Sequence, residues 1–383
     1  MSQDSIVILG GYGNAGRAIA RLLLEQPQAA LVLAGPNADR ARSVASELGQ
    51  GHEEGRVSGV RADASDQEGL TKAFRGARLV VVASSTARYT REVAEAALAA
   101  GTDYLDIQVS RQKLDTLRTL AQRIEDSGRL FITDAGFHPG LPAALVRYMV
   151  PLFEEMHTAV VSSVLRQDWR LQFSPATAPE FVQEFVGHAP EEFVDGQWRR
   201  SKGWPMRTSD FGTPFGKQTC ALMPMAEMRD LPKAIPTLGE TGFYVAGFHW
   251  LVNYLVIPIV MAGLKLSPQR APEPMGRLLL WSLRRTSRPP FGLQLVAEAT
   301  GVNLGRQTSA TASLFAEDGY HLTALPVVAC LQQYLAGAGS RAGLHLMAHW
   351  VDPEQLVKDL KRMGLQVAVK GKVGASTGGS LGR

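Results

Sequence analysis

Ser5-Ile6-Val7-Ile8-Leu9-Gly10-Gly11-Tyr12-Gly13-Asn14-Ala15-Gly16-Arg17-Ala18-Ile19-Ala20-Arg21-Leu22-Leu23-Leu24 is the stretch on which the reading of the whole chain turns. Its first five residues form a short β-branched run, of the kind buried on both faces of a parallel sheet. Ala18, Ile19, Leu22 and Leu23 recur at helical spacing. Between strand and helix stands Gly11-x-Gly13-x-x-Gly16. The first glycine permits a tight turn, the second lets backbone approach a pyrophosphate, and the third lets the helix pack on the strand. The helix N-terminus then offers N–H groups and the positive end of its dipole to phosphates. A glycine triplet alone is a weak sign. Its place between a strand and a helix makes Gly11, Tyr12, Gly13, Asn14, Ala15 and Gly16 a candidate dinucleotide loop.

The pattern continues outward from that loop. Strands are expected at Ala30 to Ala34, Val57 to Val60, Leu79 to Ala83, Tyr104 to Ile107 and Leu130 to Thr133. Helices are expected between them: from Asp39 to Leu48, Asp66 to Phe74, Thr90 to Ala100 and Leu114 to Ile124. Strands separated by single helices imply right-handed crossovers and a doubly wound parallel sheet. The fold class expected is α/β: a Rossmann sheet with an inserted α+β domain for substrate and dimerisation.

The end of the second strand bears on which dinucleotide binds. An acid at that position would hold the ribose 2′-hydroxyl of NAD and repel a 2′-phosphate. Here the strand ends Leu33-Ala34-Gly35-Pro36-Asn37, with no acid at its tip. Asn37 and Arg40 are candidate phosphate contacts, with Arg42 a second cation, so NADP(H) is favoured over NAD(H). Asp63, followed by Ala64, either accepts from the adenine amino group or simply caps a turn.

The chain has 383 residues, of which 45% are hydrophobic and 20% charged, so it can bury a core and is not a disordered chain. At ordinary domain sizes that length suggests two or three domains. The formal charge is +4, but no acid follows Asp359, whereas Lys361, Arg362, Lys370, Lys372 and Arg383 do. The remainder carries 35 bases against 36 acids, so no basic footprint for nucleic acid is present. Two cysteines, Cys220 and Cys330, make neither a disulfide framework nor a four-ligand metal site, and no metal is expected. The start lacks a basic segment before its apolar run, which favours the cytoplasm.

Longer blocks carry a family likeness. Gly10 to Gly16 (GGYGNAG), Val60 to Asp66 (VRADASD), Leu79 to Ser85 (LVVVASS), Tyr89 to Ile107 and Asp134 to Pro142 (DAGFHPGLP) occur in that order. With Tyr320 to Pro326 and Val351 to Glu354, they make the chain resemble the saccharopine dehydrogenase (saccharopine reductase-like) family. The resemblance covers 5–150 well and 290–369 more loosely. It implies a Rossmann domain completed by C-terminal elements, an inserted substrate domain, and NAD(P)-dependent chemistry at a C–N bond. It also places Ser84, Ser85 and Thr86 at the nicotinamide ribose, and Asp106 with Asp134 to His138, including Gly136 and Phe137, near the ring. The sequence departs from the family pattern at His138 and at Gln108-Val109-Ser110.

Hydride transfer needs a proton donor or acceptor beside the cofactor, outside the C-terminal strand ends. His138, as an imidazole, and Asp106 are the catalytic candidates. Arg111, Arg166 and Arg170 are candidate partners for substrate carboxylates, with Arg199 and Arg200 also considered. The expected division is 1–140 for the dinucleotide domain, 141–321 for the insertion, 322–370 for elements returning to the first domain, and 371–383 for a flexible tail.

Residues 170–240 read as aromatic, proline-rich loops over a cleft, including Phe173, Trp198, Trp204, Phe211 and Phe215. Thr241 to Leu264 carries no charge, and a basic segment with Lys265, Arg270, Arg277, Arg284, Arg285 and Arg288 follows it. That run is either a buried core or dimer-interface helix or, across 242–288, a contact for an anionic membrane surface. The function expected is an NADP(H)-dependent oxidoreductase acting on a small molecule at a C–N or related C=O bond, as a homodimer. The alternatives are a membrane-surface NADP(H)-binding protein and a reductase of an apolar, lipid-like substrate.

Overall fold

A computed structural model describes residues 5–26, 30–170, 182, 190–337 and 341–373. Two sheets organise them. The first begins with β1 (Ser5–Leu9), β2 (Leu31–Gly35), β3 (Val57–Arg61), β4 (Ala77–Val82), β5 (Asp103–Asp106) and β6 (Leu130–Thr133). With one later strand, β15 (Gly343–Leu346), these lie in the order β15-β6-β5-β4-β1-β2-β3, every pairing parallel. β1 and β2 are buried at every residue, as their unbroken apolar sequence requires. The strand order runs outward both ways from the β1–β4 pair. A crevice therefore opens there, beyond the C-terminal strand ends.

Local chemistry sets the helix limits. The helix Ala38–Gly49 is capped by Asn37, whose side chain accepts from Arg40 N, so Asp39 falls in the first turn and is not the cap. Asp66 caps Gln67–Phe74 through Gly69 N, and left-handed Gly101 (φ 67°) ends Thr90–Ala100. The single helix expected from Leu114 to Ile124 is two, Arg111–Thr119 and Ala121–Asp126. Leu120 N bonds back only three residues, to Leu117 O, tightening the chain at the join.

The second sheet holds β7 (Glu155–Arg166), β8 (Glu191–Val194), β9 (Gln197–Arg200), β10 (Met206–Asp210), β11 (Lys217–Leu222), β12 (Glu240–Ala246), β13 (Gly292–Asn303) and β14 (Arg306–Ala316). With the last strand, β16 (Val367–Val373), its order is β10-β11-β12-β7-β13-β14-β16, with β8 beside β12 and β9 beside β8. β12 and β7 run parallel and the other pairs antiparallel. Leu304 and Gly305, both at positive φ, make the two-residue turn between β13 and β14. The stretch expected to be loops thus carries four strands and the helix Ala226–Ala234, while Phe173 lies outside the described residues. The uncharged run is not one helix either. Its first part is β12, followed by a π-helical turn Val252–Val256 and the helix Ile257–Leu266. No described helix is long and apolar enough to cross a membrane.

The C-terminal part differs from expectation in two places. Asp318 accepts from Tyr320 N and His321 N, so the helix starts at Gly319 and runs to Leu335 through Pro326. Tyr320 to Leu325 are therefore helical. This helix packs on Asn14–Leu24. β15 (Gly343–Leu346) then extends the first sheet beside β6. β16 (Val367–Val373) leaves it and pairs with β14. Residues 322–370 thus return to both sheets, because the alternating valines of β16 complete the edge of the second. Gly371 to Val373 are strand, not tail, and 374–383 lie outside the described residues. One apolar cluster joins the sheets, from Ile6 and Ile8 to Phe243 and Leu295. Cys220 and Cys330 are free and buried.

Candidate active site

The glycine loop is closed as its spacing demands. A Cβ at Gly11 would meet Ile8 O at 2.8 Å and Leu33 Cα at 2.9 Å, and one at Gly16 would collide with Gly10 O. Gly10 needs its freedom doubly: φ is +87°, and a Cβ there would stand 2.8 Å from Ser84 Cβ. A Cβ at Gly13 would meet only Gly10 O, at 3.1 Å, so its outer side is open. Gly13 also holds the cap position of Asn14–Leu24 without a side-chain hydrogen bond. The cradle therefore fits a pyrophosphate held by backbone N–H groups.

At the tip of β2 the residues assemble around Tyr12. Its ring fills the space that a Cβ on Gly35 would take, and its hydroxyl accepts from Asn37 N at 3.2 Å. The Arg40 guanidinium lies over the ring, 5.1 Å from its centroid. Arg42 instead pairs with Asp39 at 2.6 Å. Among the described residues no carboxylate pairs with Arg40, so a cation stands at the strand tip where an NAD site would carry an acid. Asp63 accepts from Ser65 N and Ser65 Oγ, which hold its carboxyl below the usual range. Its oxygen is thus committed to a turn, and Ala64 is buried in the core.

Beyond β4 and β5 the loops are tied together. Ser84 Oγ and Thr86 Oγ1 are 3.0 Å apart, and Gln108 Nε2 donates to Ser84 O at 2.5 Å and to Thr86 Oγ1 at 3.0 Å. Ser85 stands between them in the same loop. Gln108 thus acts as a brace across the two loops.

Beneath that brace is a cluster centred on Lys113, a residue the sequence did not single out. Its fully buried ammonium donates to Asp106 Oδ1 and Asp134 Oδ1, each at 2.6 Å, and to Gln108 O at 2.7 Å. Asp106 Oδ1 also accepts from Gln108 N, and Oδ2 from Thr133 Oγ1 at 2.7 Å. Burial pulls the ammonium down, but the two carboxylates together outweigh it and hold its pKa above the ordinary lysine range. Burial raises the Asp134 carboxyl despite Lys113. Asp106, expected near the ring, is sealed and fully occupied by protein donors. It braces the loops through these bonds. A lysine at the third position of a capped helix, after an aspartate-ended strand, was the available signal.

His138 is also placed differently from expectation. It follows buried Phe137, its ring 3.9 Å from the Phe137 ring and 5.3 Å from that of Phe243. Its Nε2 lies 3.2 Å from Ser163 Oγ. Burial pushes its pKa down to about 3, so the ring is neutral and a poor proton acceptor near neutrality. Gly136 (φ 156°) and Gly140 (φ 124°) shape this loop; a Cβ on Gly140 would meet Gly136 O at 2.6 Å. Gly140 N donates to Glu227 Oε2 at 2.8 Å, fixing the start of the helix Leu141–Met149. Burial, then Asp134, raise the Glu227 carboxyl well above its usual range.

A cavity of about 480 Å³ lies between these strand ends and the second sheet. Ser110, Arg111 and Asp134 line it from the first domain, and Trp198, Thr241 and Phe243 from the second. Four arginines border it: Arg111, Arg118, Arg200 and Arg229. Arg111 and Arg118 both approach Asp115, at 4.0 and 3.5 Å, while Arg229 pairs with Glu191 at 2.6 Å. The structure does not bring Arg166 or Arg170 here. Arg166 lies over Phe215, and Arg170 makes two 2.7 Å bonds to Asp168, which they hold down to about 2. Arg118 was missed, although Arg111, Asp115 and Arg118 have the spacing of one helix face. No described group of His, Cys, Asp and Glu could hold a metal ion.

Residues 6–132 match the family described as the saccharopine dehydrogenase NADP binding domain. The match covers the dinucleotide domain. The resemblance noted in the sequence is thereby supported across the dinucleotide domain, and the cofactor is NADP(H). No curated protein matches the chain. Among solved structures, saccharopine dehydrogenase (L-Glu forming) from Saccharomyces cerevisiae is similar at a TM-score of 0.68 and 13% identity. The match covers 97% of this chain and 100% of the yeast one. At that identity the likeness establishes the fold: a Rossmann sheet joined to a mixed-sheet domain. A meso-diaminopimelate dehydrogenase variant from Clostridium tetani gives 0.46 at 11% identity, over 94% and 98% of the two chains. A saccharopine dehydrogenase-type NADP-binding domain makes this chain an oxidoreductase.

Proposed function

We propose that this oxidoreductase exchanges a hydride between NADP(H) and a C–N bond, imine or secondary amine, of a small carboxylate-bearing substrate. The observation that carries this is the arginine-bordered cavity at the C-terminal strand ends of an NADP-binding sheet. The cofactor supplies the hydride when bound. Gly11, Gly13 and Gly16 would receive its pyrophosphate, with Asn37 and Arg40 at the 2′-phosphate. Ser84, Ser85 and Thr86, braced by Gln108, would lie along the nicotinamide ribose. Arg111, Arg118, Arg200 and Arg229 would orient substrate carboxylates, for which guanidinium geometry is well matched. Asp134, with a raised pKa and a place on the cavity wall, is better placed than His138 to hold a proton there.

The test is an NADPH-oxidation screen over amine plus keto-acid pairs, aldehydes and apolar ketones. Turnover confined to amine plus keto-acid pairs, with KM raised by Arg118→Ala, supports the reading. Turnover of apolar ketones alone sinks it.

A further inference from the structure

The segment after β12 presents an apolar ridge to solvent. Among the described residues, twelve large apolar side chains are exposed, and six of them lie here: Trp250, Tyr254, Leu255, Ile259, Leu266 and Trp281. Concentrated in one segment, they are unlike the singly scattered apolar residues of an ordinary surface. From Tyr254 to Leu266 they follow one helical face, with exposed Pro258 and Ala262 filling the gaps. The opposite face, Val252, Val260 and Leu264, is buried against Leu279 and Leu283 of the helix Pro272–Thr286. The outward face is therefore apolar by pattern, not through a missing core. Along the chain from Lys265 to Arg288 stand six exposed cations, Lys265, Arg270, Arg277, Arg284, Arg285 and Arg288, and one acid, Glu273, which pairs with Arg277.

We infer that this face docks on an anionic membrane surface without crossing it. The chemistry fits that partner on three counts. The helices are too short to span. Two tryptophans and a tyrosine are exposed along this segment, and such amphipathic rings settle at the headgroup level. The net charge of the segment is strongly positive, which attracts anionic headgroups. A second copy of the chain suits the ridge less well. Two-fold pairing would set six cations against six, with a single acid on each side to offset them.

The experiment is flotation of the full chain with phosphatidylcholine vesicles, with and without phosphatidylserine, at low and high salt. NADPH binding is measured on every variant as the check of fold. Flotation only with phosphatidylserine is expected. It should be lost at high salt, where screening shortens the reach of charge. It should also be lost in Trp250→Ser/Tyr254→Ser/Leu266→Ser and in Arg270→Glu/Arg285→Glu, with NADPH affinity retained. Absence of flotation with phosphatidylserine vesicles overturns the inference, as does equal flotation with phosphatidylcholine alone. A wild-type dimer that does not float and becomes monomeric in the ridge variant also overturns it, since a second copy would then cover the face.

Discussion

Lys113 Nζ meets Asp134 Oδ1 at 2.6 Å with the ammonium wholly out of water, and the same atom is 2.6 Å from Asp106. One cation thus joins the loops that follow two neighbouring strands. Removing it would leave two buried carboxylates without a counter-charge. Lys113→Met should therefore lower stability by about 3–5 kcal/mol, read from denaturant midpoints. Adding Asp106→Asn should recover part of the loss. A single variant as stable as wild type would contradict this account.

His138 gives a pH signature. Its folded-state pKa is depressed from 6.5 to about 3, so the unfolded chain binds the extra proton first as pH falls. Its neutral form is favourable to the fold above 6.5, and that contribution is lost progressively towards 3. His138→Phe should show a shallower fall in melting temperature over that interval than wild type. Parallel curves would mean that the imidazole is not titrating differently in the fold. Turnover should survive in the variant if Asp134 is the better-placed proton holder.

Arg40→Ala tests the β2 tip. Losing one charge-assisted contact to the 2′-phosphate should weaken NADPH by roughly tenfold or more, and NADH little. Fluorescence titration of both cofactors decides it. An equal loss for the two would assign Arg40 to the surface alone.

Glu227 separates charge from hydrogen bonding. Burial raises its carboxyl well above the usual range, and Glu227→Gln keeps an acceptor for Gly140 N, so that variant should change stability little. Glu227→Ala leaves Gly140 N without its acceptor and should cost about 1–3 kcal/mol. Chemical denaturation of the pair distinguishes them; equal losses would show that the carboxylate charge matters.

The dinucleotide half was legible because its signals are local. β1 and the glycine loop need only their own residues, and Thr90–Ala100 and Leu130–Thr133 have the expected limits. The site was less legible because its parts meet across distance. Lys113 reads as an ordinary surface lysine until Asp106 and Asp134 close on it. Glu227 and Gly140 are 87 residues apart. Asp106 was singled out as a catalytic candidate, and its partners hold it inward. The uncharged run misled because apolar content alone does not separate a strand buried in a sheet, as at β12, from a helix.

β15 and β16 set an order on how the chain can be made. The edge of the first sheet at β6 stays bare until Gly343 to Leu346 has been synthesised. The second sheet lacks its last strand until Val373 follows. A fragment ending near residue 140 would emerge with the outer edge of β6 bare and Asn14–Leu24 lacking the helix that covers it. On the ribosome, the nucleotide half must therefore wait for Leu346, and a truncation before Gly343 should damage both halves at once.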